Sequence, residues 1–311
     1  MESRPDNTVV TRLLVISDTH GQGYTIPENI TDTPIDVVVH CGDFTLHSKL
    51  SEIRTTLQFL DNIDASLKLI IAGNHDFSLD TPVFKEKIAE AKRLADGVDD
   101  ALVQAEYGEC GEARELFDRA KKRGTHLLDE GTHRFTLDNG AELKVYASPY
   151  TPCPAGEEPT WGFQYRDGHT FDIKEGTDLV ITHGPPLGIF DSVNNRRLGC
   201  ADLFGSVVRA KPKLHCFGHV HGGWGAKMAA WRDKISEAPS HFSDIDHGKS
   251  TTIHTLSTLR EGKETESFCR ARYSDVDTGV KTLFVNAALQ GDYGLDQLPW
   301  IVDTDLPCVP R

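Results

Sequence analysis

Five short apolar runs punctuate the chain: Arg12–Ser17 (RLLVIS), Asp36–His40 (DVVVH), Leu67–Ala72 (LKLIIA), Asp178–Thr182 (DLVIT) and Leu214–Phe217 (LHCF). Each has the length of a buried strand, and the group is rich in β-branched residues. Between the second and third, Ser48–Ile63 spaces Leu50, Ile53, Leu57 and Leu60 at three- and four-residue intervals, which predicts an amphipathic helix. Thr81-Pro82 predicts another helix start, a hydroxyl cap followed by proline at the first helical position, running to about Leu94. Gly111–Arg123 reads as a further short helix. Strand, helix, strand at this end implies parallel pairing through right-handed crossovers.

The middle of the chain is patterned differently. Arg134–Leu137 and Glu142–Ala147 flank Asp138-Asn139-Gly140, and Asn-Gly between two such runs predicts an antiparallel hairpin. Thr282–Ala288 and Trp300–Asp303 read as late strands. The expected architecture is mixed: two sheets packed face to face, with helices outside. Gly225–Val280 is Ser/Thr/Glu-rich and thin in large apolar residues, with a helix expected over Met228–Ile235 and little else. A segment of that kind reads as a mobile insertion into one domain spanning 1–311. There is no internal repeat.

Composition narrows the function. The 311 residues are 38% hydrophobic and 26% charged, as in a water-soluble globular chain. The 33 basic and 47 acidic residues give a net charge of −14. That disfavours a dedicated nucleic-acid binder and an anionic-membrane binder. No stretch approaches the roughly 20 apolar residues of a membrane span. Met1–Thr11 has no apolar core, so no secretory signal is expected. Seven cysteines without a C-x-x-C pair point to reduced thiols in a cytoplasmic or nuclear setting. The sequon Asn29-Ile30-Thr31 is then a chance match.

The chemistry follows the apolar runs. They end, in order, in Asp18-Thr19-His20, Gly42-Asp43, Gly73-Asn74-His75-Asp76, His183-Gly184-Pro185-Pro186 and Gly218-His219-Val220-His221. Each group lies just past a strand end, where open sheets place their sites. A single such loop would be read as a cap with a satisfied histidine; five in this order are not explained so. Imidazole and carboxylate suit Zn, Fe or Mn, and without a thiolate the set is no structural zinc cluster. Two ions about 3.5–4 Å apart, sharing one carboxylate, can clamp both oxygens of a phosphoryl transfer, and water bridging them becomes hydroxide near neutral pH.

The order D-x-H, G-D, G-N-H-D, H-G-P-P and G-H-x-H resembles the calcineurin-like metallophosphoesterases. The strings C-G-D-F-T, T-H-G-P-P and F-G-H-V-H are similar to its small metallophosphoesterase-domain branch. The resemblance implies a four-layer αββα sandwich of two mixed sheets and a hydrolase with two divalent ions (Mn, Fe or Zn). It implies that Asp18, His20 and His221 bind one ion, that Asn74, His183 and His219 bind the other, and that Asp43 bridges them. It places His75 off the metals, over the phosphate, as donor to the leaving oxygen or as stabiliser of charge on the phosphoryl oxygens. Asp76, where the family often has Glu, would orient His75. No carboxylate follows Asp43 closely; Thr45 stands there instead. The expected substrate is a small phosphoester, a phosphodiester or cyclic nucleotide ahead of a phosphomonoester. A non-catalytic scaffold of the same fold is the alternative, and a nuclease would need a basic track this chain lacks.

Other residues carry weaker signals. Arg196 and Arg197 are candidate phosphate clamps, with a solvated turn as the plain alternative. His40 and His215 read as core histidines, His47 as a surface residue, and His126, His133 and His169 carry no motif. His241, His247 and His254 are expected to be exposed. Cys41 and Cys200 read as buried thiols. Trp161, Phe163 and Tyr165 alternate after Thr151–Pro159 like one core-facing side of a strand, with a base-stacking wall as the sharper option.

Overall fold

The computed structural model describes residues 7–27, 30, 34–94, 99–154, 156–261 and 267–308. Asn29 and Thr31 of the sequon lie outside them. Alternation along the first strand, β1 (Thr8–Ile16), sets the layering. Leu13 and Val15 point to one side and pack with residues of the other sheet; Leu14 and Ile16 point to the opposite side and pack with helix residues. β2 (Val37–His40), β3 (Leu67–Ile70) and β4 (Thr125–Leu127) add to β1 in parallel, each wholly or largely buried.

The hairpin forms as expected, from β5 (Gly131–Thr136) and β6 (Glu142–Ser148), with Gly140 in the left-handed region at its turn. β7 (Leu179–Thr182), β8 (Leu214–Phe217), β9 (Gly225–Trp231), β10 (Ile245–Thr255), β11 (Cys269–Tyr273), β12 (Lys281–Asn286) and β13 (Trp300–Pro307) complete the major strands. One sheet runs β11-β13-β1-β2-β3-β4 and the other β10-β9-β12-β8-β7-β6-β5. Both are mixed. β13 lies antiparallel to β1, while β6, β7, β8 and β12 form a parallel block.

Between the sheets lies one core of Leu13, Val15, Val37, Val39, Leu179, Ile181, Val285 and Trp300. On the far side of the first sheet, α1 (Leu50–Asp61) and α4 (Glu112–Ala120) bury Leu50, Ile53, Leu57, Leu60 and Phe117. On the far side of the second, α5 (Ala201–Ala210) buries Leu203, Phe204 and Val207. The result is the four-layer αββα sandwich. α2 (Thr81–Leu94) and α3 (Asp100–Tyr107) flank the first sheet's helical layer, and α6 (Leu256–Arg260) follows β10.

The Gly225–Val280 segment departs from expectation. Met228–Ile235 is not a helix; its first half lies in β9, paired antiparallel with β12 from Gly225↔Asn286 to Ala230↔Lys281. Pairing with a buried neighbour overrides the helical preference of Met-Ala-Ala. Ala226 enters the core between the sheets, while Ala229 and Trp231 join the core under α5. β10 escaped notice because it is a sheet edge with most positions solvated, so Ser, Thr and His take the place of an apolar run.

Candidate metal centre

The parallel strands β1, β2 and β3 of one sheet and β7 and β8 of the other end at the same edge of the sandwich. Contacts between the sheets join them there. His219 donates its N–H to both Asp18 carboxylate oxygens (3.1 and 3.0 Å), and His183 Nδ1 meets the Cys41 carbonyl at 2.9 Å. Asp18 and His20 donate their N–H groups to the carbonyls of Gly42 and Asp43, each at 3.0 Å. Asp18, His20, Asp43 and His219 all have left-handed backbones, with φ of 55, 47, 52 and 65°. Four non-glycine residues held so at one edge mark stored strain of the kind functional sites carry.

Three sets of ligand-capable side chains converge, each with its ligand atoms within 4.8 Å of one another: Asp18, His20 and His221; Asp43, His183 and His219; and His20, Asp43 and His75. A carbonyl acceptor at His183 Nδ1 assigns the proton to that nitrogen. A neutral ring then turns its Nε2 lone pair toward Asn74 Oδ1 (3.0 Å) and Asp43 Oδ2 (3.2 Å). Likewise His20 Nδ1 faces the Thr45 carbonyl at 3.4 Å, and its Nε2 lies 3.4 Å from His221 Nε2. His221 Nε2 is in turn 3.3 Å from Asp18 Oδ1. Electron-rich atoms this close require positive charge between them, and N/O donor sets of this kind fit divalent cations.

Protonation answers the same demand. Burial disfavours charge on His183, yet Asp43 and Asp18 raise its pKa to about 9. Burial, with His183 beside it, lowers His219 to about 4. Burial alone would raise Asp43 and Asp18; His183 holds Asp43 at about 2, and His221 keeps Asp18 below the ordinary carboxylate range.

His75 donates its backbone N–H to Asp43 Oδ1 (2.8 Å), and its ring Nδ1 meets the Leu46 carbonyl at 2.8 Å. Asp76 takes a different place from the one expected. Its buried carboxylate accepts the Thr45 hydroxyl (2.6 Å), the Thr45 N–H (2.9 Å) and the Gly73 N–H (2.8 Å). The hydrogen bond that orients His75 thus comes from Leu46, and Asp76 instead braces the loop after β2 against the loop after β3.

Beside Asn74 and His219 opens a cleft of about 840 Å³, walled by Trp161, Arg196 and Arg197 among others. Arg197 binds the buried Asp191 at 2.6 Å, and Asp191 also accepts the Gly188 N–H. Arg196 and Arg197 pair with Val193 and Ser192 across a turn at Asn194-Asn195, both left-handed. The three alternating aromatics do not share one core face. Trp161 is 37% exposed and its ring centroid lies 4.5 Å from that of His75. Phe163 has a left-handed φ of 55°, which breaks the alternation, and Tyr165 bonds Cys200 Sγ at 2.9 Å.

His40 and His215 are buried core histidines, bonded to the hydroxyls of Thr19 (3.0 Å) and Thr182 (2.9 Å). His47 is exposed and His126 and His133 are half-buried. His169 bonds Glu130 at 2.7 Å beneath Tyr150. His241 is buried rather than exposed, because it packs against the side-chain-free face of Gly188, and His254 is half-buried beside Trp300; His247 is exposed. Burial pushes the Cys41 and Cys200 thiols up. Thr45, Leu46 and Trp161 are the site residues that sequence reasoning passed over or placed elsewhere. Thr45, in place of a carboxylate after Asp43, and Trp161, in its aromatic alternation, gave signals; Leu46 gave none.

The calcineurin-like phosphoesterase family matches residues 11–223, and the chain belongs to it. It is 30% identical over 223 residues to metallophosphoesterase domain-containing protein 1 of Homo sapiens, covering 69% of this chain and 62% of that protein. It is 32% identical over 234 residues to UPF0046 protein T07D4.2 of Caenorhabditis elegans, covering 71% of this chain and 53% of that protein. The chain thus spans less than two thirds of the length of these curated relatives. The crystal structure of TT1561 of Thermus thermophilus covers 71% of this chain and 84% of its own at 12% identity, with a TM-score of 0.40. No helix among the described residues is long and apolar enough to cross a membrane.

Proposed function

We propose that this chain is a two-metal phosphoesterase acting on small phosphodiesters, nucleotides among them. One observation carries the reading: two His/Asp sets, Asp18-His20-His221 and Asp43-His183-His219, meet at one edge, with lone pairs facing one another. Asp18, His20 and His221 would hold one ion, and Asn74, His183 and His219 the other, with Asp43 shared. When bound, such a pair supplies positive charge to the phosphoryl oxygens and acidifies water at the site.

The chain's own residues do the rest. The His183–Cys41 and His20–Thr45 contacts fix which ring nitrogen faces inward. His75 has Nδ1 engaged by Leu46, which leaves Nε2 for the substrate. Water forms the new P–O bond and gives up one proton to solvent, the ester P–O bond breaks, and the departing oxygen takes the His75 Nε2 proton. The imidazolium becomes neutral imidazole and regains its proton from solvent. The 840 Å³ cleft past Trp161 and Arg196 leaves room for a second ester arm, which supports a diester. The net charge of −14 supports a small substrate over a long polyanion. Cys41, Cys110, Cys153, Cys200, Cys216 and Cys308 are free thiols, which suits the cytoplasm.

The test is hydrolysis of bis-p-nitrophenyl phosphate beside p-nitrophenyl phosphate, after chelation and with Mn²⁺, in wild type and Asp43→Asn. Metal-dependent diester cleavage lost in the variant is the expected outcome. Preference for the monoester refutes the diester assignment. Two bound ions with no turnover of either ester refutes the hydrolase on these substrate classes in favour of a scaffold.

A further inference from the structure

We propose that Trp161 is a positioning residue for His75: its indole holds the imidazole in the orientation that presents Nε2 to the leaving oxygen. This rests on the phosphoesterase reading above. Among the described residues the His75 ring has one hydrogen bond of its own, from Nδ1 to the Leu46 carbonyl. A single bond at one corner leaves a ring able to swing about it. Two aromatic neighbours remove that freedom. His20 stands edge-on, 4.9 Å away at 81°, and Trp161 lies 4.5 Å away at 40°.

The indole is itself held. The Lys87 ammonium stands 4.9 Å over its ring and 5.0 Å from Phe77, a cation–π contact that ties Trp161 to α2. Gln164 Oε1 accepts the N–H groups of Thr160 and Trp161, each at 3.1 Å. The next two residues anchor the loop to the one that carries His75: Gly162 donates to the Asn74 carbonyl (3.0 Å) and Phe163 to Asp80 Oδ2 (2.7 Å). Gly162 is required by close approach, since a Cβ there would lie 2.9 Å from the Phe77 Cα. His75 and Lys87 pack against the indole, and its exposed part lines the cleft. Of its ring contacts, the one with the imidazole bears on the chemistry.

The full chain, reconstituted with Mn²⁺, is assayed on methyl p-nitrophenyl phosphate and methyl phenyl phosphate. The first leaving group departs without a proton and the second needs one. Trp161→Ala is expected to lower kcat on the phenyl ester roughly ten- to a hundredfold, the scale of a misplaced catalytic group. On the p-nitrophenyl ester kcat should fall by no more than about twofold, and any rise in KM from the lost cleft wall should be the same for both esters. Trp161→Phe should restore most of the loss. His75→Ala should show the same leaving-group dependence more strongly, and adding Trp161→Ala to it should cost nothing more.

Equal loss on both esters, or additive loss in the double variant, overturns the proposal. If His75→Ala itself shows no leaving-group dependence, the role given to His75 falls first. Independently of turnover, Trp161 emission, isolated by subtracting Trp161→Phe, should change in His75→Ala. Unchanged emission would mean the rings do not touch, and the proposal fails.

Discussion

His20 and His221 hold their Nε2 atoms 3.4 Å apart, although 201 positions separate them and different sheets carry them. Packing of the two sheets forces this closeness, and a cation between the rings would relieve it. Divalent ions should therefore stabilise the fold. Ligand that binds only the native state adds about 2.7 kcal/mol at a hundredfold excess over its Kd. Chelation should lower Tm and Mn²⁺ should restore it. His221→Ala should bind fewer ions by plasma mass spectrometry and recover less Tm. A melting temperature indifferent to metal would refute the cation.

Gly42 bears on the same junction. It sits at φ +98°, and a Cβ there would lie 2.6 Å from His183 Nδ1 and 2.8 Å from the Ala72 carbonyl. Gly42→Ala should push His183 off the Cys41 carbonyl and lower stability by about 1–3 kcal/mol in urea unfolding. Metal content should fall with it. Wild-type values for both would show that the strand end has room to spare.

Asp76 braces two loops through Thr45 and Gly73. Asp76→Ala leaves buried N–H groups without a partner, at a cost of about 1–3 kcal/mol. Thr45→Ala should cost less, and the double variant less than the sum, because the two share one network. Strict additivity in a double-mutant cycle would show that the residues act separately.

His215 sets an acid limit on stability. Burial lowers its pKa from 6.5 to about 3, so the native ring stays neutral where the unfolded chain takes up a proton. Between about pH 6.5 and 3 the unfolded state binds more protons. The stability present above pH 6.5 is therefore lost as pH falls through that window. At about pH 5 the loss is on the order of 2 kcal/mol, from 1.36 kcal/mol per pKa unit. Urea unfolding near pH 7 and pH 5 should show a smaller drop for His215→Gln than for wild type. Equal drops would place the acid sensitivity elsewhere.

Much was legible because it is local. The runs that became β1, β2, β3, β7 and β8 are buried on both faces, so their apolar character shows without knowledge of the neighbours. α1 declares itself by spacing, and the Asn139-Gly140 hairpin by turn chemistry. The ligand candidates follow from the strands, since each stands one to four residues past a recognisable strand end. β9 and β10 were not legible, because small and polar residues form strands there only by pairing with β12 and with each other. His241 looked exposed because its burial depends on Gly188, more than fifty positions away.

By itself the sequence determined that β1, β2, β3, β7, β8, α1 and the Asn139-Gly140 hairpin form and which side chains stand at those strand ends, since periodicity, turns and caps act over a few residues. Only the tertiary structure decided that His20 meets His221, that Asp76 serves Thr45 rather than His75, and that Trp161 rests against His75 instead of lining a core. These are relations between loops from separate strands, set by the packing of two sheets, and no local pattern encodes the distance across that gap.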